Sequence, residues 1–426
     1  MTQASTQEII VRLLGNLGSQ REVSQYLRNY ASVDAPKFAV IKVSGRVVQS
    51  ALEEVASSLS FLKAVGLVPI VVHGSRPQKE AALERGAANA PQDAARRATL
   101  ATGASIVDSL ERLGTRARPF TSGVLEVDES GAIIHVDDAA LAASARAGAI
   151  PVVSPFGETA SGQIKNLHAD EVAHALSQQL RPHKVVFLSS RGGLRDDSGS
   201  LLSAVNLAED YERVMAEGRL DPSSHRTLGS LAKLLEVLPP TSSASITSPA
   251  HLARELFTHG GSGTLVRRGE RVQVHESFDG IDTERLRALL EECFGRKLHP
   301  DYFAAKKPYR IYLAESYRAT AILTLEQVGG SAVPYLDKFA VTPEAQGEGV
   351  GGSIWQRMRR EVPKVFWRAR GVNPINGWYA QQADGLYKTD DFWVFWCKMH
   401  DFDEIRAAVE RALAMPATLK KPPEDQ

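Results

Sequence analysis

Apolar runs alternate with helical segments along the chain from Phe38 to Gly263. The runs FAVIKVSG, LVPIVVHG, AIPVVSP and KVVFLSS have the length and character of buried strands, and segments with helical spacing separate them. This alternation is typical of βαβ units, in which helices cover both faces of a mostly parallel sheet. The pattern therefore predicts an α/β domain.

The pattern changes after the segment GSGTLVRRGERV. A helix is predicted around residues 283–294, and three strand-like runs follow it: RIYLAES, RATAILTLEQV and PYLDKFAVTP. These runs predict a meander that leads into a Gly-rich turn and a further helix over SIWQRMRREV. We therefore expect a second domain from about Glu276 onward.

The two ends of the chain differ from these domains. Apolar residues at helical spacing predict an amphipathic helical arm over residues 1–30, with another subunit as one surface for it to pack on: Ile9, Ile10, Leu13, Leu14 and Leu17. The arm lacks the apolar core of a signal peptide, and its acidic residues disfavour a mitochondrial transit peptide. The Pro-rich, charged residues 415–426 predict a disordered tail.

Composition narrows the class of protein. The 426 residues include 50 Lys and Arg against 50 Asp and Glu, so there is no global positive field to hold a nucleic acid. The apolar fraction of 43% is ordinary for a globular protein, and no stretch approaches the roughly 20 apolar residues of a membrane span. Two cysteines, Cys293 and Cys397, are too few for a disulfide framework or a cysteine-rich zinc site. We therefore expect a cytoplasmic protein with no metal site and with neither nucleic acid nor membrane as a partner.

The Gly-rich turn over residues 346–352 follows a strand directly and opens a helix. Glycines let the backbone approach a ligand closely, and successive N–H groups at a helix start bind anions such as a pyrophosphate. An ordinary strand-to-helix turn is an equally good interpretation, because a lone Gly-rich turn is a weak signal.

The surroundings of this turn carry a family resemblance. Gln346-x-x-Gly349-x-Gly351 between a strand and a helix resembles the acetyl-CoA signature of the GNAT acetyltransferases. The flanking strings PYLDKFAV, VFWRARGVNPINGWYAQQADGLY and FWVFW resemble the acetyltransferase domain of the N-acetylglutamate synthases of the vertebrate-like and bifunctional bacterial type. The resemblance covers residues 276–414 and implies a GNAT-fold α+β domain. It also implies acetyl transfer from acetyl-CoA to the α-amine of L-glutamate, at the entry to arginine biosynthesis.

The resemblance implies specific binding residues. It assigns the cofactor to one strand and to the Gly-rich turn: Phe339, Val341, Gln346, Gly347, Gly349, Gly351 and Gly352. It assigns the glutamate carboxylates to cations and an amide: Lys297, Lys338, Arg368 and Asn373. Arg370 lies on the same strand face as Arg368 and is a second candidate. The alternative for each cation is a solvated surface charge, but the apolar setting YLDKFAV predicts that Lys338 is buried.

In this superfamily the amine attacks the thioester directly and expels the CoA thiolate. The resemblance makes Tyr379 the general acid that protonates the thiolate. The alternative is a core tyrosine among Trp378, Trp393 and Trp396. Cys397 has no base or cation beside it in the sequence, so we expect it to serve in packing.

The first domain, residues 31–270, resembles the amino-acid kinase fold of N-acetylglutamate kinase, a mostly parallel sheet sandwich. The resemblance rests on IKVSG, VVHGSRPQ, GETASGQIKNLHADEVAHAL and ELFTHGGSGTLV. It implies a residual kinase site at Lys42, Gly45, Gly74, Asn166 and Asp170.

Several positions depart from the kinase pattern. Ser44, Ser75 and Arg76 replace glycines, and their side chains would crowd the phosphates of a nucleotide. No arginine clamp is found between residues 84 and 121, and Thr227 takes the place of a lysine, with Lys233 at the wrong phase. The kinase is therefore predicted to be degenerate, and Mg-ATP to be a cofactor only if kinase activity survives.

The family further implies an L-arginine site near the end of this domain, formed by Glu255, Gly261 and Gly263 with Tyr26 or Tyr30. A surface acid is the alternative for Glu255. The family also implies a homotetramer built from kinase-domain contacts. Three functional alternatives stay open: a bifunctional synthase and kinase, a non-catalytic arginine-sensing protein, and an acetyltransferase with another acceptor such as ornithine.

Overall fold

The computed structural model describes residues 34–78, 80, 91–216, 218–257, 262–343, 345 and 349–420. The chain divides into two compact units, Met1–Arg268 and Gly269–Gln426. The predicted helical arm over residues 1–30 lies outside the described residues. Among the residues that are described, no helix combines the length and the apolar character needed to cross a membrane.

The first unit is built on an eight-stranded sheet with the order β10-β12-β11-β9-β1-β2-β6-β3. Its neighbouring strands are parallel except for β11 and β12, which are antiparallel. The strands are β1 Ala39–Val43, β2 Ile70–His73, β3 Ala117–Phe120, β6 Ile150–Val153, β9 Lys184–Leu188, β10 Ala204–Asn206, β11 Ser243–Thr247 and β12 Thr264–Arg267. A second sheet, in the order β5-β4-β7-β8, contains β4 Leu125–Val127, β5 Ile133–Val136, β7 Phe156–Glu158 and β8 Ile164–Asn166. The predicted α/β architecture is confirmed.

Helices cover both faces of the large sheet. Alternate residues of a strand point to opposite faces, and here both sets are apolar and buried. Ile41 packs into a cluster with Leu59 and Leu110, whereas its neighbour Val40 packs into a separate cluster with Leu176. The described helices of this unit are α1 Gly45–Ser50, α2 Leu52–Ala64, α3 Pro91–Arg112, α4 Ala139–Arg146, α5 Ala169–Leu180, α6 Leu207–Met215, α7 Pro222–Val237 and α8 Leu252–Phe257.

The second unit is built on a seven-stranded sheet with the order β13-β14-β15-β16-β17-β19-β18. All neighbouring strands are antiparallel except β16 and β17, which run parallel and pair only at Tyr335 and Phe366. The strands are β13 Val272–His275, β14 Arg310–Ala314, β15 Ala319–Val328, β16 Ser331–Val341, β17 Val365–Arg370, β18 Gly385–Lys388 and β19 Phe392–Cys397. The predicted meander is therefore β14, β15 and β16.

Helices also cover both faces of this sheet: α9 Thr283–Phe294, α10 Tyr302–Ala305, α11 Val350–Glu361, α12 Asn376–Gln382 and α13 Phe402–Ala414. One cluster joins α9 to the sheet through Leu286 and Ile322, and another joins α11 to it through Ile354 and Leu323. Because Ile322 and Leu323 are neighbours on β15, α9 and α11 lie on opposite faces.

The predicted disordered tail is wrong for residues 415–420, which have defined contacts. Leu419 forms a bridge with Leu298, and the Lys420 amide donates to the Lys297 carbonyl at 2.8 Å. The Arg368 guanidinium donates to the carbonyls of Ala412 and Met415 at 2.8 and 2.7 Å. The composition of the segment does not favour a helix. Hydrogen bonds from the guanidinium groups of Arg368 and Arg296, together with the bridge to Leu298, satisfy its backbone groups instead.

Candidate active site

The sheet of the second unit opens between β16 and β17. These strands pair at Tyr335 and Phe366 and at no further described position, so they separate along the remainder of β16. On its other side β16 stays paired with β15 as far as Val341. The edge of residues 337–341 that faces β17 therefore has no strand partner among the described residues, and its backbone groups are available to an extended ligand.

The Gly-rich turn ends beside this opening. Gly349 is the N-cap of α11 and has a φ of 85°, a left-handed conformation that favours glycine. A Cβ atom on Gly351 would lie 2.6 Å from Val341 Cγ2, whereas one on Gly352 would meet open space. Gly351 therefore lets the start of α11 approach the end of β16, and the first N–H groups of the helix lie at the opening. The predicted cofactor residues Gln346 and Gly347 lie outside the described residues.

Tyr379 lies on α12 in a cluster of aromatic rings. Its ring centroid is 6.4 Å from that of Phe339, 5.4 Å from Trp367 and 5.6 Å from Trp378. Burial raises the pKa of the Tyr379 phenol well above its ordinary value, so the hydroxyl keeps its proton at neutral pH. The structure therefore brings Tyr379 beside Phe339, the strand residue next to the opening.

Lys338 is buried, as predicted, and it belongs to a charged cluster. Its Nζ donates to Asp337 Oδ2 and to Thr418 Oγ1, each at 2.7 Å. Lys306 Nζ lies 2.9 Å from Asp337 Oδ1, and the Tyr302 hydroxyl donates to Oδ2 at 2.8 Å. Burial acts to raise the pKa of Asp337, but the two ammonium groups outweigh it and lower that pKa to about 2.

A β-bulge brings Asp337 and Lys338 to one face of the strand. Ile322 of β15 pairs with Lys338 and the next residue, Leu323, pairs with Leu336, so Asp337 is the extra residue. A bulge lets two consecutive side chains point the same way, which regular alternation would forbid. Sequence reasoning missed Asp337, Lys306 and Thr418; the adjacent Asp-Lys pair in an apolar strand was the one available signal.

The other predicted glutamate-binding residues are more scattered. Arg368 contacts the C-terminal segment and lies 4.5 Å from the Phe392 ring centre. Arg370 is exposed at the end of β17, and Lys297 is an exposed partner of Glu291 at 2.6 Å. Asn373 lies in the turn after β17, where its Oδ1 accepts from the Ile375 amide. The structure therefore gathers Lys338, Arg368 and the Lys297 backbone around the C-terminal segment and leaves Arg370 at the surface.

In the first unit, Lys42 and Asp170 form an ion pair of 2.6 Å, and Gly74 packs so closely that an added Cβ would lie 3.2 Å from the Gly45 amide. Asn166, four residues before Asp170 in the chain, lies on the wall of a groove of about 1350 Å³. The two serines that replace glycines at these turns hydrogen-bond within the protein. Ser44 caps α1, accepting from the Val47 amide, and buried Ser75 hydrogen-bonds to Thr99 at 2.8 Å.

The predicted arginine site contains a buried carboxylate. Glu255 is 5% exposed, and its Oε2 accepts from the amides of Ser262 and Gly263 at 2.9 and 3.1 Å, so the surface-acid interpretation is wrong. Sequence reasoning missed Lys184, a buried lysine that donates to Ser243 Oγ at 2.9 Å. Burial lowers the pKa of Lys184 to about 7, with the Arg267 charge adding to this and Glu255 opposing it. Gly261, Tyr26 and Tyr30 lie outside the described residues.

Comparisons with known proteins decide the family. Residues 273–414 match the N-acetyltransferase family of N-acetylglutamate synthase, and residues 37–247 match the amino acid kinase family. A protein of Xanthomonas campestris pv. campestris named acetylglutamate kinase is 43% identical over 95% of this chain and 100% of its own length. The chain belongs to the N-acetylglutamate synthase and kinase family. Its second unit is accordingly an N-acetyltransferase domain.

A further relative and two solved structures match most of the chain. The mitochondrial N-acetylglutamate synthase of Homo sapiens is 36% identical over 95% of this chain and 76% of the human protein. The solved N-acetylglutamate synthase of Neisseria gonorrhoeae, complexed with coenzyme A and N-acetyl-glutamate, covers 89% of this chain and 98% of its own, with a TM-score of 0.59 and 18% identity. A second structure of that enzyme, with coenzyme A and L-arginine, has a TM-score of 0.52 and 18% identity. At this identity the two structures show the fold.

Proposed function

We propose that the chain is an N-acetylglutamate synthase, which transfers the acetyl group of acetyl-CoA to the α-amine of L-glutamate in arginine biosynthesis. The observation that carries this proposal is the opening between β16 and β17. There a buried cation, Lys338, lies on one face of the strand, and a protonated phenol, Tyr379, packs against Phe339 on the other. The name of the human relative supports glutamate as the acceptor.

The residues around the opening divide the work of acyl transfer. The start of α11 at Gly349 suits the pyrophosphate, and the unpaired edge of Phe339 to Val341 suits the pantetheine arm and the thioester carbonyl. The neutral amine attacks the thioester carbon, and the carbon–sulfur bond of the tetrahedral intermediate then breaks. Tyr379 gives its proton to the thiolate, and the proton released from nitrogen restores the phenol.

Tyr379→Phe tests this assignment. The full-length variant should lose about 10²- to 10⁴-fold in turnover, the usual contribution of a general acid, while acetyl-CoA binding measured by calorimetry is kept. Tyr387→Phe is the matched control, because Tyr387 is exposed on β18. Unchanged turnover in Tyr379→Phe would remove it as the acid. No acetyl-CoA binding by the parent chain would favour the arginine-sensing alternative, and acetylation of ornithine in preference to glutamate would change the acceptor.

Phosphorylation of N-acetylglutamate is a second candidate function, for the first unit. The ion pair of Lys42 with Asp170 favours it, and so do the hydrogen bonds that engage the Ser44 and Ser75 side chains within the protein. The name of the Xanthomonas relative points the same way, whereas Thr227 in place of a lysine argues for a degenerate kinase. Mass spectrometry of the products formed from acetyl-CoA, glutamate and Mg-ATP separates the two cases. Stoichiometric ADP with acetylglutamyl phosphate would establish the kinase, and N-acetylglutamate without ADP would exclude it.

L-Arginine is the effector that the first unit suits best. Its guanidinium would meet the buried carboxylate of Glu255, and its carboxylate would meet the buried cation Lys184. Calorimetry with arginine tests this pairing. Lys184→Met should weaken binding by at least about tenfold, because it removes one charge-assisted hydrogen bond. Unchanged affinity would place the effector elsewhere.

A further inference from the structure

Lys306 follows α10 and belongs to a buried cluster of three charges. Its Nζ lies 2.9 Å from Asp337 Oδ1, and Lys338 Nζ lies 2.7 Å from Oδ2 of the same carboxylate. The side chains of Lys306, Asp337 and Lys338 are only 16%, 4% and 5% exposed. Two ammonium groups share one carboxylate, so this cluster has a net charge of +1.

A surplus charge in a buried cluster is unfavourable unless an anion balances it. Among the described residues, no second carboxylate lies within ion-pair distance of either lysine. Asp337 carries a single negative charge, and the Tyr302 hydroxyl that donates a hydrogen bond to it is neutral. Arg368 contacts the same C-terminal segment as Lys338 and adds further positive charge to its surroundings. The cluster is therefore matched to one additional carboxylate that the described chain does not provide.

The position of the cluster connects it to acyl transfer. Lys338 immediately precedes Phe339, whose ring packs against Tyr379 at the opening of the sheet. Lys306 is the most exposed of the three charges, so a ligand that comes from solvent meets it first. Tyr302 adds an aromatic wall, with its ring centre 5.1 Å from Lys338 Nζ.

We propose that Lys306 is a further acceptor-binding residue, which together with Lys338 binds one carboxylate of the acceptor amino acid, and that Asp337 is the positioning residue for both lysines. This inference rests on the proposed synthase function and adds a residue to its acceptor site. An acceptor whose carboxylate at this place is replaced by an amide would leave the surplus charge unbalanced. The cluster therefore selects for an acidic group at one end of the acceptor.

The first test compares Lys306→Met with the wild-type full-length chain. The KM for glutamate should rise at least about tenfold, because a charge-assisted contact is lost, while the KM for acetyl-CoA stays unchanged. Lys307→Met is the matched control, since Lys307 is the exposed neighbour, and it should leave both constants unchanged. Lys306→Arg keeps the charge and should recover part of the lost glutamate affinity.

The preference among acceptors distinguishes a binding role of Lys306 from a purely structural role. The wild-type chain should prefer glutamate over its two monoamides, glutamine and isoglutamine. Lys306→Met should reduce this preference for one of the two, which identifies the bound carboxylate. The melting temperature should stay unchanged or rise, because the variant leaves a neutral pair of Asp337 and Lys338.

Two results would overturn the inference. One is a glutamate KM in Lys306→Met equal to that of the wild type or of Lys307→Met. The other is a lower melting temperature with an unchanged preference among the three acceptors, which would make Lys306 a structural partner of Asp337. Failure of the synthase proposal looks different, because the wild-type chain itself would then fail to acetylate glutamate.

Discussion

Buried charged side chains form the main contacts in the candidate sites of both units. In the second unit Asp337 holds two ammonium groups, and in the first unit Glu255 holds the turn at Ser262 and Gly263 while Lys184 is buried nearby. Each of these groups loses hydration on burial and regains the energy only through a precise partner. Substitutions at such positions should therefore have effects that surface charges do not have.

Lys184 makes the stability of the first unit depend on pH. Its pKa falls from about 10.4 in the unfolded chain to about 7 in the fold, so between these values the unfolded state binds more protons. Stability should therefore rise with pH from about 7 to about 10, by up to about 1.4 kcal/mol per pH unit. Urea unfolding of the wild type and Lys184→Met at several pH values measures this slope. An equal slope in the two proteins would contradict the prediction.

At the scale of elements, the site depends on how helices and strands meet. The start of α11 approaches β16 through Gly351, and the C-terminal segment 415–420 is held by the Arg368 guanidinium and by pairing with Leu298. The first contact is local, whereas the contacts of segment 415–420 join parts of the chain that are distant in sequence. Each of them can be tested by a local change.

Gly351 and Gly352 are adjacent glycines with different reasons to be glycine. Gly351→Ala should lower the free energy of unfolding, since its Cβ would lie 2.6 Å from Val341 Cγ2. Gly352→Ala should raise it by up to about 1 kcal/mol, because alanine favours a helix and open space surrounds the new Cβ. If acetyl-CoA approaches the backbone here, Gly352→Ala will also weaken acetyl-CoA binding. Chemical unfolding and calorimetry measure the two effects separately, and equal destabilisation by both variants would contradict this distinction.

The C-terminal segment is expected to be part of the acceptor side of the second unit. Ending the chain at residue 414 removes Thr418 from Lys338 and removes the carbonyls of Met415 and Pro416 from Arg368. This truncation should lower the melting temperature and raise the KM for glutamate. A truncation that removes only residues 421–426 keeps all of these contacts and serves as the control. Identical behaviour of the two truncations would show that residues 415–420 are dispensable.

At the scale of the whole molecule, two compact units carry two separate sets of functional residues. The proposed acetyl-transfer residues belong to Gly269–Gln426, and the Lys42–Asp170 pair belongs to Met1–Arg268. The family resemblance adds a homotetramer as a prediction, and light scattering of the purified chain tests it. Because each unit has its own core, the chemistry of one should survive a point change in the other.

Lys42→Met tests this independence. It removes the cation that pairs with Asp170, so any ADP formation with N-acetylglutamate should be lost. Formation of N-acetylglutamate from acetyl-CoA should continue at the wild-type rate, and Tyr379→Phe should show the opposite pattern. Loss of both activities in Lys42→Met, with an unchanged melting temperature, would instead mean that the units depend on each other for catalysis.

The sequence predicted much of the candidate site, because motif residues keep a fixed spacing. The Gly-rich turn opens a helix at Gly349 and Lys338 is buried, as the strings around them indicated. The contact of Tyr379 with Phe339 became visible only in the structure. Lys306 and Thr418 could not be predicted from local patterns. Lys306 lies 31 residues from its partner Asp337 along the chain, and Thr418 lies 80 residues from its partner Lys338.

The amino-acid sequence alone determined the alternation of strands and helices, the change of pattern near residue 276 and the family, because periodicity and local motifs are properties of neighbouring residues. The tertiary structure decided which charges meet. The bulge at Asp337 turns two consecutive side chains to one face, and the burial of Glu255 and Lys184 depends on elements far along the chain. Burial and ion pairing arise from such long-range packing, so the chemistry of these groups was set only when the chain folded.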